Sequence, residues 1–394
     1  MIRENFFSKN LAYLVLFAVS LAFLLSQIYG FIISTDIQYW VAKAYDYSLL
    51  LRSGDLIPNY SLSHPAVTVL YLGSFFILLK SLISHILVYD FNPLALAYKL
   101  SFVFAISLFI PYIYYLLKKN SLPAGMAFIA GLLLSTNPEI WTANAADILW
   151  AIFSLCAILC FFICFAGQTV SVKYFFLSAF FTSLAIISRY SGVLLLVVFP
   201  LLFLYYRLQL GLNWKKFFLK LAGWILLIII FIVILWPNVI LSQFRVATDT
   251  FQGNLQSLKF EGSYFATEKS DIFHNIKTSF THLPLVQLYF LFMFILFMKK
   301  NFTRLSRSLK IFLIVMIILV PYFYFYTIFI VTGVWSMRYS LVSNLIIDII
   351  VAFEIWRQFS YIYSSNKYKK LFLPYLIFCL ALYIYSAHYW LSSA

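Results

Sequence analysis

Apolar runs of about 20 residues, broken by short polar stretches, recur along nearly the whole 394-residue chain, and that recurrence decides the fold class. Such a run has the length a single helix needs to cross the hydrocarbon core of a bilayer. Within lipid only helices and closed barrels satisfy every backbone polar group. Barrel strands read as roughly ten-residue segments of alternating polarity, whereas these runs are continuous and long. The chain therefore reads as an all-α polytopic membrane protein. Composition agrees, with 64% apolar and 10% charged residues against about 45–50% and 25% in soluble domains.

The expected spans are 10–33, 98–117, 122–138, 147–167, 173–188, 190–206, 217–236, 284–298, 311–331, 339–357 and 371–391. Arg3 and Lys9 precede the first run and no Ala-x-Ala-like site follows it, so it reads as an uncleaved span. The apolar stretch 65–84 decides the topology. If it lies in the interface, the basic clusters share one side: Lys118 and Lys119, Lys173, Arg207 with Lys215, Lys216 and Lys220, then Lys299 to Lys310, then Arg357 to Lys370. Cytoplasmic loops collect Lys and Arg, so eleven spans follow, with the N-terminus cytoplasmic and the C-terminus outside. The net charge of +15 is explained by that bias rather than by nucleic acid. The whole chain, 1–394, reads as one integral-membrane domain with two long outer loops, 34–97 and 237–283. The first loop opens on an amphipathic surface helix from Asp36 to Leu51 and ends in the interfacial stretch. Residues 245–277 read as solvated loop, with a lid over a site as the sharper alternative.

Ionisable groups in or at the ends of spans are costly unless they face a wet cavity, so each is a functional candidate. Asp36 follows the first span, Asp147 opens the fourth, Arg189 sits in a tight turn between two spans, and Arg338 opens the tenth. All four map to the outer side. Two carboxylates and two guanidiniums there would suit a reaction needing a base and a departing phosphate held by cations. Each has a plainer alternative: Asp36 as a favourable charge at a helix N-terminus, Asp147 as an N-cap, Arg189 and Arg338 as snorkelling anchors. Asp348 lies mid-span, either as a proton relay or as a hydrogen-bonded acid between packed helices. Cys156, Cys160 and Cys164 fall on one helical face as small packing residues, with no His or carboxylate nearby to complete a metal site.

The stretches Asp36-Ile37-Gln38-Tyr39, Ser53-Gly54-Asp55-Leu56 with Pro58, and His64-Pro65 resemble the first outer loop of GT-C glycosyltransferases of the protein O-mannosyltransferase and aminoarabinose-transferase type. Tyr98-Lys99-Leu100 resembles that family's basic span opening, Asp147 its second-loop acid, Ser188-Arg189-Tyr190 its Lys/Arg turn, and Arg338-Tyr339 its late Arg-Tyr motif. The order holds from residue 30 to about 350. The resemblance implies a membrane glycosyltransferase that moves a sugar from a polyprenyl-phosphate donor to an acceptor hydroxyl, with inversion, at the outer face of a bacterial or archaeal plasma membrane. It implies Asp36 as general base, with Asp147 as a second site acid. Arg338, Arg189 and Lys99 would bind the donor phosphate, and His64, Tyr39 and Tyr339 would position substrate. The acceptor is left open among protein, lipid and glycan. No cofactor is assigned; a divalent metal is compatible, although this chain has Asp36-Ile37 where the family often has an acidic pair. The rival class is a transporter or flippase of a lipid-linked or anionic solute with Asp348 as coupling acid. Transporters place sites near the midplane, often between repeated halves, whereas these charges collect at one face and the sequence shows no internal repeat.

Overall fold

The computed structural model describes residues 10–26, 35–53, 67–84, 91–120, 122–137, 140, 145–165, 170–210, 213–236, 285–301, 305, 307–329, 336–364, 374, 375 and 377. The described residues form α-helices and one 3-10 turn, with no strand among them. In chain order the helices are α1 (Leu11–Ser26), α2 (Thr35–Arg52), α3 (Val67–Ser84), α4 (Phe91–Lys119), α5 (Ala124–Ser135), α6 (Ala145–Phe165), α7 (Val172–Ser188), α8 (Leu195–Leu210), α9 (Trp214–Leu235), α10 (Leu285–Asn301), α11 (Arg307–Phe329) and α12 (Ser336–Ser364). The 3-10 turn, Tyr190–Leu194, joins α7 to α8. The chain is an all-α membrane protein. Three described helices are long and apolar enough to cross a bilayer: Asn92–Lys119, Asp147–Phe165 and Trp214–Leu235. The expected last span, 371–391, lies almost wholly outside the described residues, as does the loop 237–283.

Two boundaries among the described residues differ from the sequence reading by seven residues. α4 begins at Phe91 rather than 98. Pro93 does not stop it, because a proline in the first helical turn removes no intrahelical hydrogen bond. Lys99 therefore lies inside α4 rather than at its opening. α12 runs on to Ser364, beyond the expected end at 357.

The chain divides into two compact units. Unit 1 comprises Met1–Phe23, Ser107–Ala143 and Ser270–Ala394, and unit 2 comprises Leu24–Ile106 and Asn144–Lys269. In unit 1, α12 is the central helix and packs on α5, α10 and α11. Its residues 341–353 are buried throughout. Phe290, Tyr324, Ile347, Val351 and Ile355 form an apolar cluster around it. Polar groups on such a helix need partners, since an unpaired buried group costs about 1–3 kcal/mol. They have them: Asn137 Nδ2 donates to Asp348 Oδ2 at 2.7 Å, Tyr324 donates to Asn344, and Ser343 Oγ donates to the Val320 carbonyl at 3.1 Å. Glu354 is fully buried, yet it accepts from Arg357 Nε at 2.8 Å and Gln358 Nε2 at 2.7 Å.

In unit 2, α6 is the central helix. It is buried along almost its whole length and packs closely on α7. Cys156, Cys160 and Cys164 are all buried on it, in the packing role that small residues play between membrane helices. α7 and α9 run side by side in the same direction, tied by Trp224 Nε1 donating to Ser178 Oγ at 3.0 Å and by Ser183 Oγ donating to the Ile228 carbonyl at 3.1 Å. The outer face of α9 is left bare: Phe218, Leu219, Leu226, Ile229 and Ile234 are exposed. A contiguous apolar face of that kind is stable only against lipid or another protein.

Candidate functional site

The sequence places Asp147 and Arg189 far apart in the chain, and the fold makes them an ion pair. Asp147 stands in the first turn of α6, fully buried. Arg189 ends α7 in an extended conformation (φ −160°, ψ 141°), and its N–H bonds the Ala185 carbonyl at 3.1 Å. The chain then folds tightly into the 3-10 turn, where the Gly192 N–H bonds the Arg189 carbonyl at 2.9 Å. Glycine is needed there for space. A Cβ on residue 192 would stand 2.5 Å from the Ala185 carbonyl carbon and the Ile186 nitrogen, which is backbone that cannot swing aside. Gly192 therefore keeps the turn pressed on the end of α7 and fixes the direction in which Arg189 leaves it.

The pair is asymmetric. The Asp147 side chain is 0% exposed and that of Arg189 20%. An ionised carboxylate so buried is tolerable only with its counter-charge, and neither of its oxygens has a hydrogen-bond partner among the described residues beyond that ion pair. Asp147 thus binds the guanidinium, while the guanidinium still reaches the edge of the unit.

Helices α2 and α3 close around the same end. Val67, Leu70, Ile187 and Trp236 form an apolar cluster with Trp40 and Tyr71 packed against it. Thr68 Oγ1 and Ser188 Oγ are 2.7 Å apart, and Ser188 Oγ donates onward to the Leu184 carbonyl at 2.6 Å. The first turn of α3 is thereby bolted to the residue preceding Arg189. Tyr71 donates to the Leu235 carbonyl at 2.5 Å, and Ser74 to the Ala44 carbonyl at 2.8 Å. Gly73 lets α3 sit close to α4, since a Cβ there would meet the Tyr98 ring at 2.6 Å. Burial pushes the Tyr47 phenol on α2 up from its ordinary value.

Of the residues singled out from the sequence, Asp147 and Arg189 are brought together. Asp36 and Tyr39 lie in the first turns of α2, with Trp40 one turn after Asp36. Lys99 is a partly exposed residue of α4 in the same unit. Arg338 and Tyr339 occupy the first turn of α12 in unit 1. The side chains of Asp36, Tyr39, Arg338 and Tyr339, and the whole of His64, lie outside the described residues. Asp348 lies buried in the middle of α12, where Asn137 donates to it. Sequence reasoning missed Thr68 and Gly192, and named Ser188 only as a member of the Ser188-Arg189-Tyr190 turn. Their only trace was hydroxyls and a glycine beside a charged residue in otherwise apolar runs. Among the described residues no cluster of His, Cys, Asp and Glu could hold a metal ion. No protein-family model matches the chain, and no curated protein matches it significantly.

Proposed function

We propose that the chain is a GT-C-type glycosyltransferase with eleven spans and an outward-facing site, transferring one sugar from a polyprenyl-phosphate carrier to an acceptor hydroxyl. The observation that carries the reading is the buried Asp147–Arg189 pair, at the end of unit 2 where α2 begins with Asp36. An arginine anchored through a buried acid and still partly exposed is a preorganised donor for negative charge that develops during a reaction. In this scheme the acceptor oxygen attacks the anomeric carbon and passes its proton to Asp36. The bond between that carbon and the phosphate oxygen breaks, its electron pair leaves on the polyprenyl phosphate, and the configuration inverts. Arg189 and Lys99 offset the charge on the departing phosphate. Asp147 orients Arg189, and His64 and Tyr39 position substrate. The exposed apolar face of α9 offers a surface for an isoprenoid tail.

The test is transfer from synthetic polyprenyl-phosphate mannose and polyprenyl-phosphate aminoarabinose to host-membrane acceptors by the purified full chain. Asp36→Asn keeps the shape and removes the proton acceptor, so transfer should fall by about 100- to 10,000-fold. Transfer within threefold of the unmodified protein would refute the assignment.

A further inference from the structure

At the end of unit 2 opposite the Asp147–Arg189 pair, the helices carry charge of the wrong sign. Lys173 lies in the first turn of α7, and Lys215 and Lys216 in the first turn of α9. Helix N-termini are already electropositive and favour acids there; neither first turn has one. The register set by Trp224 on Ser178 brings Lys173 level with Lys220, one turn further along α9. Lys220 also acts electrostatically on Cys164, whose thiol meets the Ser171 carbonyl at 3.5 Å. Arg207, from the last turn of α8, lays its guanidinium over the Trp214 ring at 3.6 Å. Five cations are thus gathered at one end, and from Ile148 to Thr248 the sequence has no Asp or Glu to balance them.

Two details go beyond the general excess of positive charge on one side of a membrane protein. The Trp214 ring lies against the Arg207 guanidinium, and a guanidinium packed on a ring can keep its in-plane N–H groups for a phosphate gripped as a fork. Its Nε is buried without a hydrogen-bond partner among the described residues. Trp214 itself is half exposed at the start of a helix long enough to cross the membrane, where indole rings sit at headgroup depth.

We propose that Arg207, Trp214, Lys215 and Lys216, flanked by Lys173 and Lys220, form a seat for the phosphate headgroup of an anionic membrane lipid. A bound phosphate would offset part of the positive charge at the two N-termini and accept from the Arg207 guanidinium. The site is independent of the glycosyl-transfer proposal.

The test titrates the purified full chain, in neutral detergent, with short-chain phosphatidylglycerol, phosphatidylcholine or inorganic phosphate. Native mass spectrometry and Trp fluorescence read binding. Saturable binding of phosphatidylglycerol is expected. Each cation near an anionic lipid is worth roughly fivefold in affinity, so Lys215→Gln/Lys216→Gln should weaken binding about 25-fold and adding Arg207→Gln about 100-fold. The exposed lysine pair is not part of the core, so its double variant keeps the test valid if the triple variant fails to fold. Lys299→Gln/Lys300→Gln, on α10 of unit 1, should leave the affinity unchanged. The proposal is overturned if the α9 variants retain full affinity, if phosphatidylcholine binds equally, or if inorganic phosphate at equal concentration displaces phosphatidylglycerol.

Discussion

Arg189→Gln should be one of the most damaging single changes available in unit 2, and more damaging than Asp147→Asn. The order follows from the asymmetry of burial. Removing the guanidinium strands a carboxylate that is fully enclosed, and breaking a buried pair from one side costs about 3–5 kcal/mol. Removing the acid leaves an arginine with a fifth of its side chain exposed, able to turn toward water or headgroups. Its loss is closer to that of one charge-assisted hydrogen bond, about 1.5–3 kcal/mol. The double variant Asp147→Asn/Arg189→Gln has neither charge to desolvate and can join its two amides by a hydrogen bond. It should be more stable than Arg189→Gln alone, with a coupling of about 2 kcal/mol. The assay is unfolding of the purified chain by graded denaturing detergent, followed through the fluorescence of its 9 Trp residues. Additive single effects, or a larger loss in Asp147→Asn, would refute the account of the pair.

Gly192→Ala should destabilise by about 2 kcal/mol or more, because the added carbon has only backbone to push against; a neutral result in the same unfolding assay would mean the turn can open. In unit 1, Asn137→Leu takes one donor from the buried Asp348 carboxylate and should cost about 2 kcal/mol, whereas Asp348→Asn, which can keep a hydrogen bond to Asn137, should cost about 1 kcal/mol. A neutral Asn137→Leu in the same assay would show that this bond does not hold the two helices together. Arg338→Lys keeps charge and loses the fork, so it should lower turnover more than it raises the Michaelis constant; unchanged turnover would make Arg338 an interfacial anchor. A cysteine at Ser53 should react with an impermeant thiol reagent from outside the cell and one at Lys300 should not, and the reverse labelling would invert the topology.

The helices were legible because each apolar run carries its own length and its own breaks. α3 is a case in point: the apolar stretch 65–84 stands out in the sequence, and α3 occupies Val67–Ser84, packing on α2 and on α7. Single charged residues were legible as exceptions to the cost of burying charge, and Arg189 in its turn was one. Their partners were not. Nothing in the spacing of Asp147 and Arg189, of Thr68 and Ser188, or of Asn137 and Asp348 announces a contact, since each pair is made by packing between helices remote in the chain. The start of α4 lies seven residues before the expected 98, and Pro93 falls in its first turn, where a proline is tolerated. Gly192 could not be told from an ordinary turn glycine without the backbone of α7 beside it.

The central claim is that a polyprenyl phosphate binds at the end of unit 2 marked by Asp147 and Arg189. Mass spectrometry of the lipid extracted from the purified chain tests it most directly. The account predicts a polyprenyl phosphate or its glycoside, enriched over the surrounding membrane and lost from preparations of Arg189→Gln. An extract holding only phospholipids, or a polyprenyl phosphate retained undiminished by Arg189→Gln, would contradict it.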